Sequence, residues 1–413
     1  MNFRNLFFIF IFSLFILSGC SQKNKTINVS NSSEQAENLP PVETEKPNSN
    51  YKPAFKGQTR IAGVKTKTPY QVDVLTENLD HPWAIIPFPS GKFLITEKSG
   101  KMQIYDETGL RFKSIEGFPE VDDRGQGGLL DVALDPDFST NQTIFWSFSE
   151  KQSDGKNLLA VAKGKLNETL GRVENSAIIF RAKPAMDSKL HFGSRIVFDK
   201  DGNLFVSTGE RSIIEGRVQA QDLSSALGKI FKITKNGEPA PGNPFVNQEN
   251  VVPQIYSFGH RNVQSLAIHP QTGDLWECEM GPRGGDELNR IEKGKDYGWP
   301  TITYGIEYSG EPIGNAIQKK EGMEQPVYYW DPVISPSGIT FYEGNAIPEW
   351  KNNLFIGCLS GQHINRIIIE NNKVAGEERL LTNENQRFRD VTYSNGMLFA
   401  VTDQGRLYRI KRK

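Results

Sequence analysis

Cysteine is almost missing from this chain, with three in 413 residues. Cys20 ends an N-terminal apolar run, so only Cys278 and Cys358 remain, and no disulfide framework can hold the fold. Both lie in apolar strand patterns and are expected as buried free thiols, a single bridge between them being the alternative. Histidine is scarce too, with five in all, and no His-x-x-x-His or Cys/His set has the spacing of a zinc site. An excess of charge is likewise absent: 48 Lys and Arg face 49 Asp and Glu, a net charge of −1. Bulk electrostatics therefore draw in neither nucleic acid nor an anionic membrane, and an anionic ligand must be held by local arginines. After residue 68 there is no amphipathic helical pattern longer than about three turns.

The long apolar run, Leu6 to Leu17, is broken only by Ser13 and follows Arg4. It is short for a spanning helix and is followed by small residues, the arrangement of a cleaved signal. Leu17-Ser18-Gly19-Cys20 is similar to the lipobox of bacterial lipoproteins. Residues 1–19 are thus expected as a signal peptide and Cys20 as a lipidated residue anchoring the protein to the cell envelope. A plain secretory signal is the alternative. Ser21, where Asp would retain a lipoprotein at the inner membrane, implies the periplasmic side of an outer membrane in an envelope that has one. Residues 20–68, rich in Asn, Ser, Glu, Pro and Lys, are expected as a flexible tether, and residues 69–413 as the folded domain.

Glycine and aromatics are abundant: 38 Gly, 25 Phe, 12 Tyr and 6 Trp. That mix suits an all-β protein with many tight turns. A strand pair recurs six times. The first strands include Trp83–Pro87, Leu130–Leu134, Arg195–Phe198, Val263–Ile268, Gly338–Tyr342 and Arg389–Tyr393. Each leads through a turn into a small-then-aromatic strand such as Gly91–Thr96, Gly202–Ser207 or Gly396–Val401. Six strand pairs without helices predict a six-bladed β-propeller, with long insertions between Ser207 and Asn353. Two packed sheets are the alternative, but they give no reason for six matching pairs.

In a propeller the first strand of each blade lines the channel, so residues at its start converge on one mouth. Those positions hold Gln126, His191, Arg195, Arg261, Asn262, Arg387 and Arg389. The stretch Gly259–Pro300 adds a His-Arg-Asn cluster, a Gly-Pro-Arg-Gly-Gly-Asp-Glu loop and a Tyr-Gly-Trp-Pro turn. Glycine lets backbone approach a ligand, and loops on a rigid scaffold commonly carry function. His191 is the candidate general base, since an imidazole suits proton removal at neutral pH. His260 is expected to point away from the mouth and bond backbone, His81 to enter a strand, His269 to lie in a turn and His363 in an outer strand. Arg261, Arg387 and Arg389 are candidate anion binders, with ion pairs to Asp286, Glu287 or Asp390 as the competing explanation. The carbonyls of Gly281 and Pro282, near Asp286, are hard oxygen donors that suit Ca²⁺.

These residues resemble the soluble PQQ-dependent glucose/sorbosone (aldose) dehydrogenases over roughly Tyr70 to Lys411. The likeness runs through Gly125–Phe138, His191-x-Gly-x-Arg195, Leu227–Ile233, Gly259–Gln264, Glu279–Glu287, Tyr297–Pro300, Pro336–Gly338 and Arg387–Asp390. It implies a six-bladed propeller with PQQ across the channel mouth and Ca²⁺ bridging cofactor and protein. His191 would then take the proton of a sugar's C1 hydroxyl, supported by Glu210, while hydride passes to the quinone. Arg261 and Asn262 would face the quinone oxygens, Arg387 and Arg389 the cofactor carboxylates, Gln126 would be a further contact, and Gly281 and Pro282 would bind the metal through their carbonyls. Met280 stands where a Gln or His is usual, Ser360 where some members have Lys, and Glu210 where Asp is usual, which lengthens that arm by one methylene.

The expected activity is therefore oxidation of an aldose to its lactone, with electrons passed to an external acceptor. Two alternatives belong to other classes: a Ca²⁺-dependent lactone hydrolase, which needs a carboxylate cage at the channel centre, and a non-catalytic propeller that binds a glycan or protein. Neither the sugar nor the oligomeric state is written in the sequence.

Overall fold

The computed structural model describes residues 25–28, by backbone alone, and residues 39–413. The signal peptide and the lipidated Cys20 lie outside the described residues.

Six antiparallel sheets stand around a central channel. The first blade is Pro82–Phe88, Lys92–Glu97, Lys101–Tyr105 and Arg111–Ile115. The second is Leu129–Leu134, Thr143–Lys151, Asn157–Asn167 and Arg172–Arg181. Gly193–Phe198, Leu204–Thr208, Lys229–Ile233 and Ile255–Phe258 form the third. Val263–Ile268, Leu275–Glu279, Asp286–Ile291 and Tyr328–Trp330 form the fourth. The fifth comprises Pro336–Phe341, Leu354–Cys358, Ile364–Glu370 and Lys373–Leu380. The sixth takes Phe388–Ser394, Met397–Thr402 and Leu407–Arg412 from the C-terminus and Tyr70–Thr76 from the other end of the domain. That last pairing, Tyr70 against Arg412 through Thr76 against Leu407, closes the ring. The first strands pack side by side, the sixth blade's against the first blade's.

The second strands are buried on both faces because each blade is covered by its neighbours. This is why they read as continuous apolar runs and not as alternating ones. Their aromatic residues knit blade to blade: Phe145 meets Phe198 edge-on at 5.1 Å, and Phe93 lies 4.2 Å from Phe399. Helix is confined, among the described residues, to Phe138–Asn141, Ile214–Arg217 and two single 3₁₀ turns. Cys278 and Cys358 are buried and unpaired.

One feature of the ladders places the site. Each of the six channel-lining strands shifts register against its neighbour near its mouth end, between Pro82 and Ile85 and at the five equivalent points. Such bulges break the alternation and re-aim side chains. Here they leave Asp131, Arg195, Gln264 and Asp390 in polar contact across the channel: Arg195 reaches Asp131 at 3.2 Å, Asp390 at 3.1 Å and the Gln264 carbonyl at 2.9 Å.

Residues 39–68 depart from the expected tether. Leu39–Pro41 and Ala62–Gly63 add to the outer edge of the fifth blade. Between them Asn48 and Ser49 cap the Asp331 carboxylate with backbone and side-chain donors at 2.8 to 3.1 Å. Arg60 ties the segment down through the carbonyls of Glu43, Glu45 and Asp331. Low hydrophobicity concealed this strap, because hydrogen bonds, with little apolar packing beyond Ile61, hold it.

Candidate active site

The channel mouth opens into a cavity of about 510 Å³ lined by His191, Gln126, Arg261, Met280, Gly281, Pro282, Arg387 and Arg389 among others. His191 sits on the strained lead into the third blade, where His191, Gly193 and Ser194 all have positive φ (47°, 69° and 92°). Two side chains hold that backbone. Gln126 Oε1 accepts the His191 N–H at 2.7 Å, and Asn262 Oδ1 accepts the Gly193 N–H at 3.2 Å.

His191 Nδ1 lies 2.6 Å from Glu210 Oε1. An ionised carboxylate can only accept, so Nδ1 carries the hydrogen and Nε2 keeps its lone pair. No protein group among the described residues bonds Nε2. Burial, and then the positive charge of Arg261, push the His191 pKa down to about 4, although Glu210 pulls the other way. At neutral pH the ring is a neutral base with its protonated form poised against a carboxylate. The extra methylene of Glu210 thus does not prevent the contact. Its backbone N–H is fixed by the Arg261 carbonyl at 2.9 Å.

Four cations, Lys98, Arg261, Arg387 and Arg389, line the cavity against one carboxylate, Asp403. Arg387 and Arg389 share Asp403, with Nε contacts of 2.9 and 2.8 Å, and neither is paired with Asp390. Arg261 has no carboxylate partner for its guanidinium among the described residues. Its Nη1 donates to the carbonyls of Met280 and Gly281, it lies over Trp299, and its buried Nε has no partner among the described residues. An uncompensated cationic lining with a free buried donor fits a ligand carrying several carboxylates, which is the chemistry of PQQ.

The metal expectation fares differently. Gly281 O is held by Arg261 at 2.5 Å, so a guanidinium already occupies one of the two carbonyl oxygens expected to bind Ca²⁺. Asp286 is committed as well: Oδ1 accepts the Gly281 N–H at 2.7 Å, and Oδ2 accepts those of Ile334 and Ser335 at 2.8 and 2.7 Å. It anchors the loop and is no ligand. In this arrangement the donors do not fit a calcium ion.

Other expectations need correcting. Asn262 is fully buried under Met280, whose Sδ lies 3.8 Å from its Nδ2, so it buttresses backbone and does not face the cavity. His260 bonds side chains and not backbone: Ser257 at 2.9 Å, Glu279 at 3.2 Å, with Tyr297 stacked at 4.8 Å. His81 stands directly before the Pro82–Phe88 strand, as expected, and in addition is exposed and lines the cavity. Ser360 lies beside Ser335 at 2.7 Å. Lys98, Asp403 and Tyr308 were not anticipated; Lys98 and Asp403 directly follow the second strands of the first and sixth blades, and Tyr308 lies in the long loop of the fourth. Asp131 and Asp390 are spent on Arg195, so among the described residues the channel centre offers no free carboxylate cage for a lactone hydrolase.

Comparison with known proteins agrees with this geometry. The profile of the family described as Glucose / Sorbosone dehydrogenase matches residues 79–409. The chain is 41% identical over 336 residues to the aldose sugar dehydrogenase YliI of Escherichia coli, covering 81% of this chain and 90% of that one. It superposes on the apo-form crystal structure of the soluble aldose sugar dehydrogenase from Escherichia coli with a TM-score of 0.79 at 40% identity, covering 83% of this chain and all of that one. The PQQ-bound form of the aldose sugar dehydrogenase from Streptomyces coelicolor gives a TM-score of 0.68 at 28% identity, over 84% of this chain and 99% of that one.

Proposed function

Because the chain belongs to the glucose/sorbosone dehydrogenase family, we propose that it is a PQQ-dependent aldose dehydrogenase that oxidises a sugar at C1 to the lactone. The observation that carries this reading is the buried His191–Glu210 pair, 2.6 Å apart, beside an arginine-rich cavity. PQQ, when bound, supplies the two-electron acceptor for the hydride leaving C1.

The chain's own residues do the rest. Nε2 of His191 takes the proton of the C1 hydroxyl as the C–H bond gives up its hydride and the carbonyl of the lactone forms. The imidazolium that results is stabilised by Glu210, which also fixes the ring so that Nε2 and not Nδ1 meets the sugar. Arg261, Arg387 and Arg389 hold and orient carboxylates. Burial of His191 keeps water from competing for the proton. No step is drawn through calcium, because Arg261 holds the Gly281 oxygen.

The sequence further supports export and lipid anchoring through Cys20, with electrons leaving to an external acceptor. Labelling with a radioactive fatty acid, abolished by Cys20→Ser, tests the anchor. The catalytic reading is tested by adding PQQ to the apo-protein and then an aldose while following cofactor reduction. Wild type should reduce bound PQQ, and His191→Gln should bind it yet slow reduction at least about a hundredfold. Near-wild-type reduction by the variant removes His191 from the mechanism, and no PQQ binding by wild type leaves a non-catalytic propeller.

A further inference from the structure

Tyr308 is 69% exposed, yet it lines the same cavity as His191, which is 6% exposed. Single exposed aromatics on loops are common and usually need no explanation. This one sits on a turn closed by Gly310 N–H to Glu307 O at 2.9 Å and Glu307 N–H to Glu311 O at 2.8 Å. Two further ties fix the turn to the site. Glu307 is gripped by Arg217, which lies over Trp299, the ring that also carries Arg261. Ile306 and Arg283 exchange both backbone hydrogen bonds at 3.0 Å, joining the turn to the Gly281–Gly285 loop. The ring itself has no aromatic or cationic partner and its hydroxyl no hydrogen bond among the described residues.

A rigidly mounted, unpartnered aromatic face at the rim of a sugar cavity has an evident ligand. The apolar C–H face of a pyranose packs against such a ring, and tyrosine loses little conformational freedom in presenting it. Geometry decides which part of the sugar arrives there. C1 must reach Nε2 of His191 in the cavity wall, so the end remote from C1 points outward to the rim. We propose that Tyr308 is a specificity-determining residue that stacks on the portion of the substrate distal to C1. It therefore favours reducing disaccharides, whose second ring lies on it, over monosaccharides. This rests on the dehydrogenase reading and adds to it a residue and a direction of selectivity.

The test compares PQQ-loaded wild type, Tyr308→Ala and Tyr308→Phe with glucose and maltose. In Tyr308→Ala the KM for maltose should rise about five- to tenfold with kcat within about twofold, as loss of binding shared by ground and transition states requires. The glucose KM should move much less, PQQ affinity should be unchanged, and Tyr308→Phe should restore maltose. Equal KM changes for both sugars, a change in kcat alone, or failure of Phe to restore maltose would overturn the proposal. A second readout needs no turnover: saturation transfer from the protein's aromatic protons to methyl β-maltoside, which has no free C1 hydroxyl. Transfer to the distal ring in wild type, lost in Tyr308→Ala, supports the contact even if PQQ reduction fails. Its absence in wild type rejects the contact even if the dehydrogenase reading stands.

Discussion

His191 is held as a neutral ring by its surroundings, and its protonation can be followed directly. Its pKa of about 4, against a model-peptide value near 6.5, is set first by burial and second by Arg261. A depression of that size corresponds to about 3 kcal/mol favouring the neutral ring in the folded protein. Below pH 6.5 the unfolded chain binds a proton that the folded chain refuses. The neutral ring's contribution to stability is therefore complete above about pH 6.5 and is lost progressively as pH falls to about 4. In ¹⁵N-histidine spectra of the apo-protein, the His191 signals, assigned by their loss in His191→Gln, should stay those of a neutral ring with Nδ1 protonated down to about pH 5. Arg261→Ala should raise the midpoint by removing the nearby charge and admitting water. Glu210→Gln should lower it, since the carboxylate is the group that favours the cation. Urea titrations from pH 4 to 6.5 should show a flatter stability profile for His191→Gln than for wild type. A His191 midpoint near 6.5, or one unmoved by both neighbouring substitutions, would refute the electrostatic account.

The arginines differ in exposure, and this ranks them. The Arg389 side chain is 16% exposed and that of Arg387 42%, so in equilibrium titration Arg389→Ala should weaken PQQ binding more than Arg387→Ala, up to the roughly 1.5–3 kcal/mol of a charge-assisted contact. Calcium alone should bind the apo-protein weakly because Arg261 holds the Gly281 oxygen, and PQQ should tighten it at least about tenfold if its carboxylates draw the guanidinium away. Calorimetry with and without PQQ checks this, and equal affinities would mean that Arg261 and the metal do not compete. Asp331→Ala removes the acceptor of four hydrogen bonds from Asn48 and Ser49, and hydrogen exchange should then rise across residues 43–49 and the adjoining Gly281–Gly285 loop while the distant first blade stays protected.

The ring of blades was legible because burial on both faces imprints itself on sequence as repeated apolar runs, and all six channel strands follow from it. Convergence at the mouth was legible for the same reason: His191 and Arg261 each stand two residues before the first strand of their blades, and Arg387 and Arg389 flank the start of the sixth. What escaped has a different physical origin. The strap from Leu39 to Thr68 is held by polar contacts to Asp331, Glu377 and Glu378, which leave no periodicity. Lys98, Asp403 and Tyr308 reach the cavity from loops whose course depends on tertiary packing. The roles of Asn262 and Asp286 were misread because type and position suggest a ligand contact, whereas local backbone donors claim their oxygens first.

Met280 is where sequence and structure disagree most usefully. Its thioether is half-buried on the cavity wall, 3.8 Å from the Asn262 amide, and a sulfur accepts weakly and donates nothing. Its backbone, by contrast, is fully used: the N–H donates to Asn262 O at 3.2 Å and the carbonyl takes Arg261 at 2.8 Å. Substitution therefore changes the side chain in a fixed frame. In Met280→Gln, Oε1 can accept from Asn262 Nδ2, and Nε2 then points a donor at the cavity among the cations that already await carboxylates. One new hydrogen bond should tighten PQQ binding by up to about 1 kcal/mol, or about fivefold. The same substitution should leave the melting temperature of the apo-protein nearly unchanged, because the new amide is satisfied by Asn262 on one side and water on the other. Weaker binding together with a lower melting temperature would mean that the amide is buried without partners, and that the wall has packed around the methionine as an apolar surface.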